Sequence, residues 1–231
     1  MNKYLVNPKL VNKLAQDLAQ ISKSHLSNNL RPYLLGICGI PGSGKTTLSE
    51  LLKDRINEVN GDNFCSRLAM DGFHHTKDYL RQMPDPVEMF KRRGSPITFN
   101  VDLFYSKLQE IKGLDAENGE VLYPTFEHEI QDPVQDDLVV SNKNRILIIE
   151  GNYLALNLPK WRDVSSLFDN LWFLNIPIET AMERVAIRHV KAKICKDMME
   201  SWIRTNYNDR KNAQLILSNK INKIDKEIEM E

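Results

Sequence analysis

Nine consecutive residues, Gly39-Ile40-Pro41-Gly42-Ser43-Gly44-Lys45-Thr46-Thr47, match the spacing G-x-x-x-x-G-K-[ST] at every position. Glycines at 39, 42 and 44 let a backbone curl around a phosphate, because they tolerate positive φ and carry no side chain. The loop N–H groups form an anion nest, and a helix starting here points its positive end at the same spot. Lys45 then reaches the β- and γ-phosphates, while the Thr46 hydroxyl is a ligand for Mg²⁺. A glycine turn that only links a strand to a helix would need neither Lys nor Thr after its third glycine. Gly39 to Thr47 is therefore read as the cradle of a nucleoside triphosphate.

Two further stretches end on an acid followed by glycine: L-A-M-D-G-F-H-H-T from Leu68 to Thr76, and I-L-I-I-E-G from Ile146 to Gly151. If each apolar run is a strand of an open parallel sheet, Asp71 and Glu150 stand at carboxyl ends, where ligands gather. Two carboxylates beside one metal-bound nucleotide divide the work: holding the metal, and accepting a proton from an attacking hydroxyl. The plainer alternative is that Asp-Gly and Glu-Gly only punctuate turns. His74 and His75 follow at once, and a histidine just past a strand end serves more often as a loop hydrogen-bonder than as a catalyst. Phe73 and Tyr153 either floor an acceptor pocket or pack in the core. Lys91, Arg92 and Arg93 form a basic cluster that either contacts an anion or lies solvated at the surface.

These residues need a scaffold. Arg31 to Ile40 contains Y-L-L-G-I-C-G-I, Ile146 to Ile149 is I-L-I-I, and Leu171 to Ile176 is L-W-F-L-N-I. Runs that are apolar on both faces suit a parallel sheet covered by helices. A strand over Arg67 to Met70 carries Asp71. Helical patterns alternate with these runs at Thr46 to Val59 and Glu179 to Lys193, and an amphipathic helix covers Pro8 to about Leu26. The fold class is therefore α/β, as one domain over residues 1–231. Residues 1–30 hold the first helix. Residues 113–144 break the rhythm with two extended pieces, a hairpin insertion outside the main sheet.

Composition removes other classes. Lysine plus arginine number 31, as do aspartate plus glutamate, so the broad basic footprint of a nucleic-acid binder is missing. No apolar run is long enough to span a membrane. Cys38, Cys65 and Cys195 are scattered without zinc spacing, which suits reduced thiols in a cytoplasmic protein. Asn222 to Asp225 spells the guanine-reading N-K-x-D, yet no Asp is followed three residues later by Gly, and no apolar strand precedes it. The nucleotide expected is ATP.

Taken together, G-I-P-G-S-G-K-T-T, M-D-G-F-H, R-R-G-S-P-I-T-F-N, F-E-H-E-I-Q-D-P-V, I-I-E-G-N-Y-L-A-L, and E-R-V-A-I-R-H-V followed by N-D-R-K-N-A resemble one group. This is the family of P-loop small-molecule kinases that includes uridine kinase, pantothenate kinase and phosphoribulokinase, and the likeness is greatest to its uncharacterised kinase-like members. It runs from about Tyr33 to Ile216. The resemblance implies a mainly parallel sheet flanked by helices, a helical lid at 188–204, and a small acceptor-side hairpin from Val121 to Val140. It implies transfer of the γ-phosphoryl group of Mg·ATP to a hydroxyl of a nucleoside, pantothenate-like or sugar-like acceptor.

Asp71 matches the family's general base and magnesium neighbour, and Glu150 the acid of the metal-binding strand, with Thr46 as the third metal ligand. Lys45 and Arg188 match catalytic cations, and Arg184 a nucleotide contact. Arg184 and Arg188 share a helix face, where like charges repel mildly unless an anion sits between them. Phe73, His74, Arg93, Asn100, His128 and Tyr153 fall on the acceptor side. Departures are Asn100 where relatives often carry Asp, F-E-H for F-D-H, and the glycine-free lid segment K-A-K-I-C-K-D-M. They leave one alternative standing: a nucleotide-dependent binding protein or slow ATPase without a small-molecule acceptor. A homo-oligomer is left open.

Overall fold

The computed structural model describes residues 6–28, 31–114, 119–127 and 129–230. Its strands are β1 (Tyr33–Gly39), β2 (Cys65–Ala69), β3 (Glu120–Glu127), β4 (Asp132–Ser141), β5 (Ile146–Gly151), β6 (Asn170–Asn175) and β7 (Lys226–Glu229). Its helices are α1 (Pro8–Asn28), α2 (Lys45–Asn60), α3 (Lys77–Arg81), α4 (Pro86–Lys91), α5 (Val101–Lys112), α6 (Trp161–Ser165), α7 (Ile178–Lys191), α8 (Met198–Tyr207) and α9 (Asp209–Ser218). Five strands pair in the order β2-β5-β1-β6-β7, all parallel, while β3 and β4 form a separate antiparallel pair. β1 and β5 are buried at every position, as central strands covered by helices must be. Leu14 and Leu18 of α1 and Leu48, Leu52 and Ile56 of α2 join that core.

The register sets the functional end. β1 runs directly into the glycine loop, and Ile37 lies opposite Glu150 of the neighbouring strand. Cys38 and Gly39 thus continue past Glu150 into the loop, so the acid and the cradle share the carboxyl end of the sheet. β2 ends at Ala69, one residue earlier than the apolar run suggests, and Met70–Phe73 form a 3-10 turn that carries Asp71.

Two glycines are explained by close approach. A Cβ on Gly72 would lie 2.1 Å from the Pro124 carbonyl oxygen, so β3 rides directly over the turn holding Asp71. A Cβ on Gly42, whose φ is 84°, would lie 2.3 Å from the Ala181 carbonyl oxygen of α7. Asp-Gly here is less a turn signal than a seat for the hairpin.

Three features differ from the sequence expectation. The Lys/Asp-rich C-terminal stretch supplies the edge strand β7, pairing Trp172–Asn175 with Lys226–Glu229. Only Ile228 of K-E-I-E is buried, so the stretch lacks the apolar signal of a strand. Asp225 of the N-K-I-D sequence accepts the Leu171 amide (2.8 Å), which makes that sequence a joint into β7. In the glycine-free connector after α7, Lys193 adopts φ 57°, the left-handed position at which helices commonly end. At the opposite edge, the Asn57 side chain bonds both the amide (2.8 Å) and the carbonyl (2.9 Å) of Cys65 in β2. Among the described residues no helix is long and apolar enough to cross a membrane.

Candidate active site

Lys45 opens α2, but its side chain folds back on the loop. Its Nζ donates to the carbonyls of Gly39 (3.0 Å) and Ile40 (2.9 Å). Burial pushes the ammonium down from its ordinary value to about 8, against the attraction of Glu150. Pro41 and Ser43 are buried, Ile40 is in the core, and Gly44 begins the helix at φ 94°. Thr46 donates its hydroxyl to Glu150 Oε1 (2.9 Å), and Thr47 continues the first helical turn.

Glu150 is 8% exposed. Burial, then the like charge of Asp71, push its carboxyl above the usual range, while Lys45, Arg67 and the Thr46 hydroxyl pull it back. Asp71 acts on both Lys45 and Glu150, so the two acids and the lysine share one electrostatic neighbourhood. The donors are hard oxygens, two carboxylates and a hydroxyl, which suit Mg²⁺ completed by water and phosphate oxygens. Among the described residues no cluster of three or more His, Cys, Asp or Glu forms a cage that could hold a metal by itself.

Arg188 is exposed on the last turn of α7, and its guanidinium makes no hydrogen bond or ion pair among the described residues. Its charge reaches Lys45 on one side and the largely buried Asp209 on the other. Arg184 is one turn earlier and half-buried. His189, buried beside Thr205 and Asp209, is pushed down to about 4 by burial and by Arg204 and Arg188, and stays neutral.

The acceptor-side candidates divide. His74 lies between the rings of Phe99 (4.0 Å) and Phe126 (4.8 Å), tilted against both. Its Nδ1 lies 2.8 Å from the Asp71 carbonyl oxygen, and burial lowers its pKa, which leaves the ring neutral near pH 7. Arg93 donates to Asp132 (2.8 Å) and to the His75 carbonyl (3.1 Å). Phe73, His74 and Asn100 border one hollow of about 150 Å³ with Thr76, Tyr79 and Gln135.

Other placements favour scaffold duty. Asn100 caps α5, its Oδ1 accepting the Leu103 amide (3.1 Å). Phe73 is buried against Phe104 and Tyr123. Tyr153 has no exposed surface, and its hydroxyl donates to the Gly94 carbonyl, so it offers nothing to an acceptor in this arrangement. Arg92 reaches the Tyr207 carbonyl (3.1 Å) and Asn212 Oδ1 (3.0 Å), tying α4 to α8 and α9 rather than lying solvated. His128 lies outside the described residues. Arg67, which no motif contains, and Asp132, which lies inside F-E-H-E-I-Q-D-P-V without being picked out there, are built into the site. An arginine inside the strand that leads to Asp71 was the available signal for the first.

A parallel sheet with a glycine loop at its carboxyl end, an acid closing the adjacent strand and a second acid just past the next is the arrangement of a P-loop nucleotide-binding fold. The chain belongs to the phosphoribulokinase / uridine kinase family, whose model matches residues 34–208. A Schizosaccharomyces pombe relative named "Putative uridine kinase C227.14" is 40% identical across 81% of this chain and 79% of its own. The ATP-dependent kinase YFH7 of Kluyveromyces lactis is 32% identical across 89% of this chain and 70% of its own. The crystal structure of YFH7 from Saccharomyces cerevisiae superposes with a TM-score of 0.85 at 21% identity, covering 96% of this chain and 99% of that one, a likeness of fold.

Proposed function

We propose that this kinase transfers the γ-phosphoryl group of ATP to a hydroxyl of a small metabolite. The loop amides and Lys45 hold the phosphates, the ammonium exchanging its present carbonyl partners for phosphate oxygens. Thr46, Glu150 and Asp71 are the residues that would hold Mg²⁺. When bound, that ion neutralises phosphate charge and orients the β- and γ-phosphates. Asp71 takes the proton of the attacking hydroxyl, and Arg188, with Arg184 behind it, faces the transferring group from the lid.

One observation carries this reading: Asp71 shares the electrostatic neighbourhood of Lys45 and Glu150 on a turn that the hairpin covers. An acid so placed stands between a phosphate site and a covered space, where a hydroxyl must lose its proton. His74, Arg93 and, through the family resemblance, His128 form the acceptor side. The name of the Schizosaccharomyces pombe relative makes nucleosides the first acceptor class to try.

The test is incubation with ATP and a mixed pool of nucleosides, vitamins and sugars, read by mass spectrometry. The expected result is one product heavier by a phosphoryl group and ATP consumption that depends on that metabolite. Slow ATP turnover indifferent to every acceptor would overturn the transfer reading in favour of a nucleotide-driven ATPase.

A further inference from the structure

Arg67 lies in β2 opposite Ile148 of β5, two residues before Glu150. Its Nη1 donates to Glu150 Oε1 (3.2 Å), and its Nε donates to Glu50 Oε2 (2.9 Å) on α2. Glu50 is held in turn by Lys53, one helical turn along. The Thr46 hydroxyl donates to the same Glu150 oxygen (2.9 Å). Two elements therefore converge on Oε1, β2 through Arg67 and α2 through Thr46, and α2 also holds Arg67 itself through Glu50. Oε2 accepts no hydrogen bond among the described residues.

We propose that Arg67 is a positioning residue that fixes the Glu150 carboxylate for the divalent cation accompanying the nucleotide. This rests on the reading of Glu150 as part of the metal site. A carboxylate pinned at one oxygen turns its other oxygen in a set direction. A planar guanidinium with donors on two edges bridges two carboxylates at once, as a lysine ammonium does less well.

The charges agree with this role. Glu150 is buried and shares its site with Asp71, so it needs a cation beside it. Lys45 is one, but its ammonium is claimed by the phosphates once nucleotide arrives. Arg67, tethered to Glu50 outside the phosphate loop, is the cation that remains. A salt bridge that merely joined α2 to β2 would need Glu50 alone.

The experiment uses the full chain and Mn²⁺ as probe. Mn²⁺ binding in the presence of ADP is followed by electron paramagnetic resonance, and ADP binding in excess chelator by calorimetry. Arg67→Met should weaken Mn²⁺ binding about 10–100-fold, the usual effect of removing a group that orients a metal ligand. Affinity for metal-free ADP should stay within about twofold, and Arg67→Lys should recover part of the loss. If the methionine variant does not fold, Glu50→Gln loosens the tether with Arg67 in place and should weaken Mn²⁺ binding several-fold. Unchanged Mn²⁺ affinity in a folded variant overturns the proposal, as does a parallel loss of metal-free ADP binding, which marks a structural role. A wild-type chain that binds ADP but no Mn²⁺ overturns the metal-site reading, and the proposal with it.

Discussion

Gly72→Ala isolates the seat of the hairpin from every other effect. Gly72 is outside the positive-φ region, so alanine meets no backbone conflict there. The conflict is spatial: the new methyl would lie 2.1 Å from the Pro124 carbonyl oxygen, 2.6 Å from its carbon and 3.1 Å from the Thr125 nitrogen. All three are main-chain atoms and cannot swing aside. Restoring contact of about 3.4 Å requires the hairpin or the Asp71 turn to shift by more than about 1 Å. Overpacking of this kind costs about 1–3 kcal/mol. At about 2–4 °C per kcal/mol for a chain this size, Tm should fall by about 2–12 °C. A displacement near 1 Å between base and acceptor wall should also slow transfer by up to about 10²-fold. Thermal melts, with transfer to the acceptor found by mass spectrometry, measure both. Gly113→Ala is the control, since its methyl meets nothing nearer than 3.4 Å. If Gly72→Ala melts and turns over like wild type, the hairpin does not rest on that turn, and the covered acceptor space goes with it.

Nucleotide affinity should depend on pH through Lys45. The ammonium binds phosphate, and it loses its proton as pH rises through about 8, so affinity is full below that value and weakens above it. The decline should approach about tenfold per pH unit, and Lys45→Met should bind weakly with little slope; a flat wild-type titration from pH 7 to 9 refutes the assignment. Asp71→Asn should cut single-turnover transfer by about 10²–10⁴, while metal–nucleotide affinity falls far less, because Thr46, Glu150, Lys45 and the loop amides remain; near-normal transfer at saturation would return Asp71 to a turn residue. Asn100→Ala should cost about 0.5–2 kcal/mol in chemical denaturation by removing the cap of α5. Asn100→Asp keeps the cap and should leave both stability and turnover near wild type, whereas a large change in acceptor KM would make Asn100 a specificity residue.

Much of this was legible in the sequence because strong local rules agree. β1, β5 and β6 announce themselves by being apolar on both faces, and the glycine loop by nine residues in a row. What stayed hidden depends on partners distant in the chain. Gly72 reads as a turn glycine until Pro124 is placed on it. Arg67 reads as a polar break in a strand until Glu50 and Glu150 flank it. β7 hides because an edge strand buries one residue in four. Asn100 drew attention as a departure in an acceptor motif, while the plainer pattern, an asparagine opening a helix, accounts for its hydrogen bond.

The two glycine contacts share one property. Gly42 beneath Ala181 and Gly72 beneath Pro124 bring main chain against main chain, with no side chain between. Exposed side chains hop between rotamers in nanoseconds or less, but close-packed backbone has no such latitude. The phosphate loop is thereby gauged against α7 and the Asp71 turn against the hairpin, both referred to one parallel sheet, like two jaws ground to a common plane. The gap between them is a dimension of the backbone. Under the proposed function, side chains such as those at positions 74 and 126 can then be exchanged for a different acceptor without resetting it.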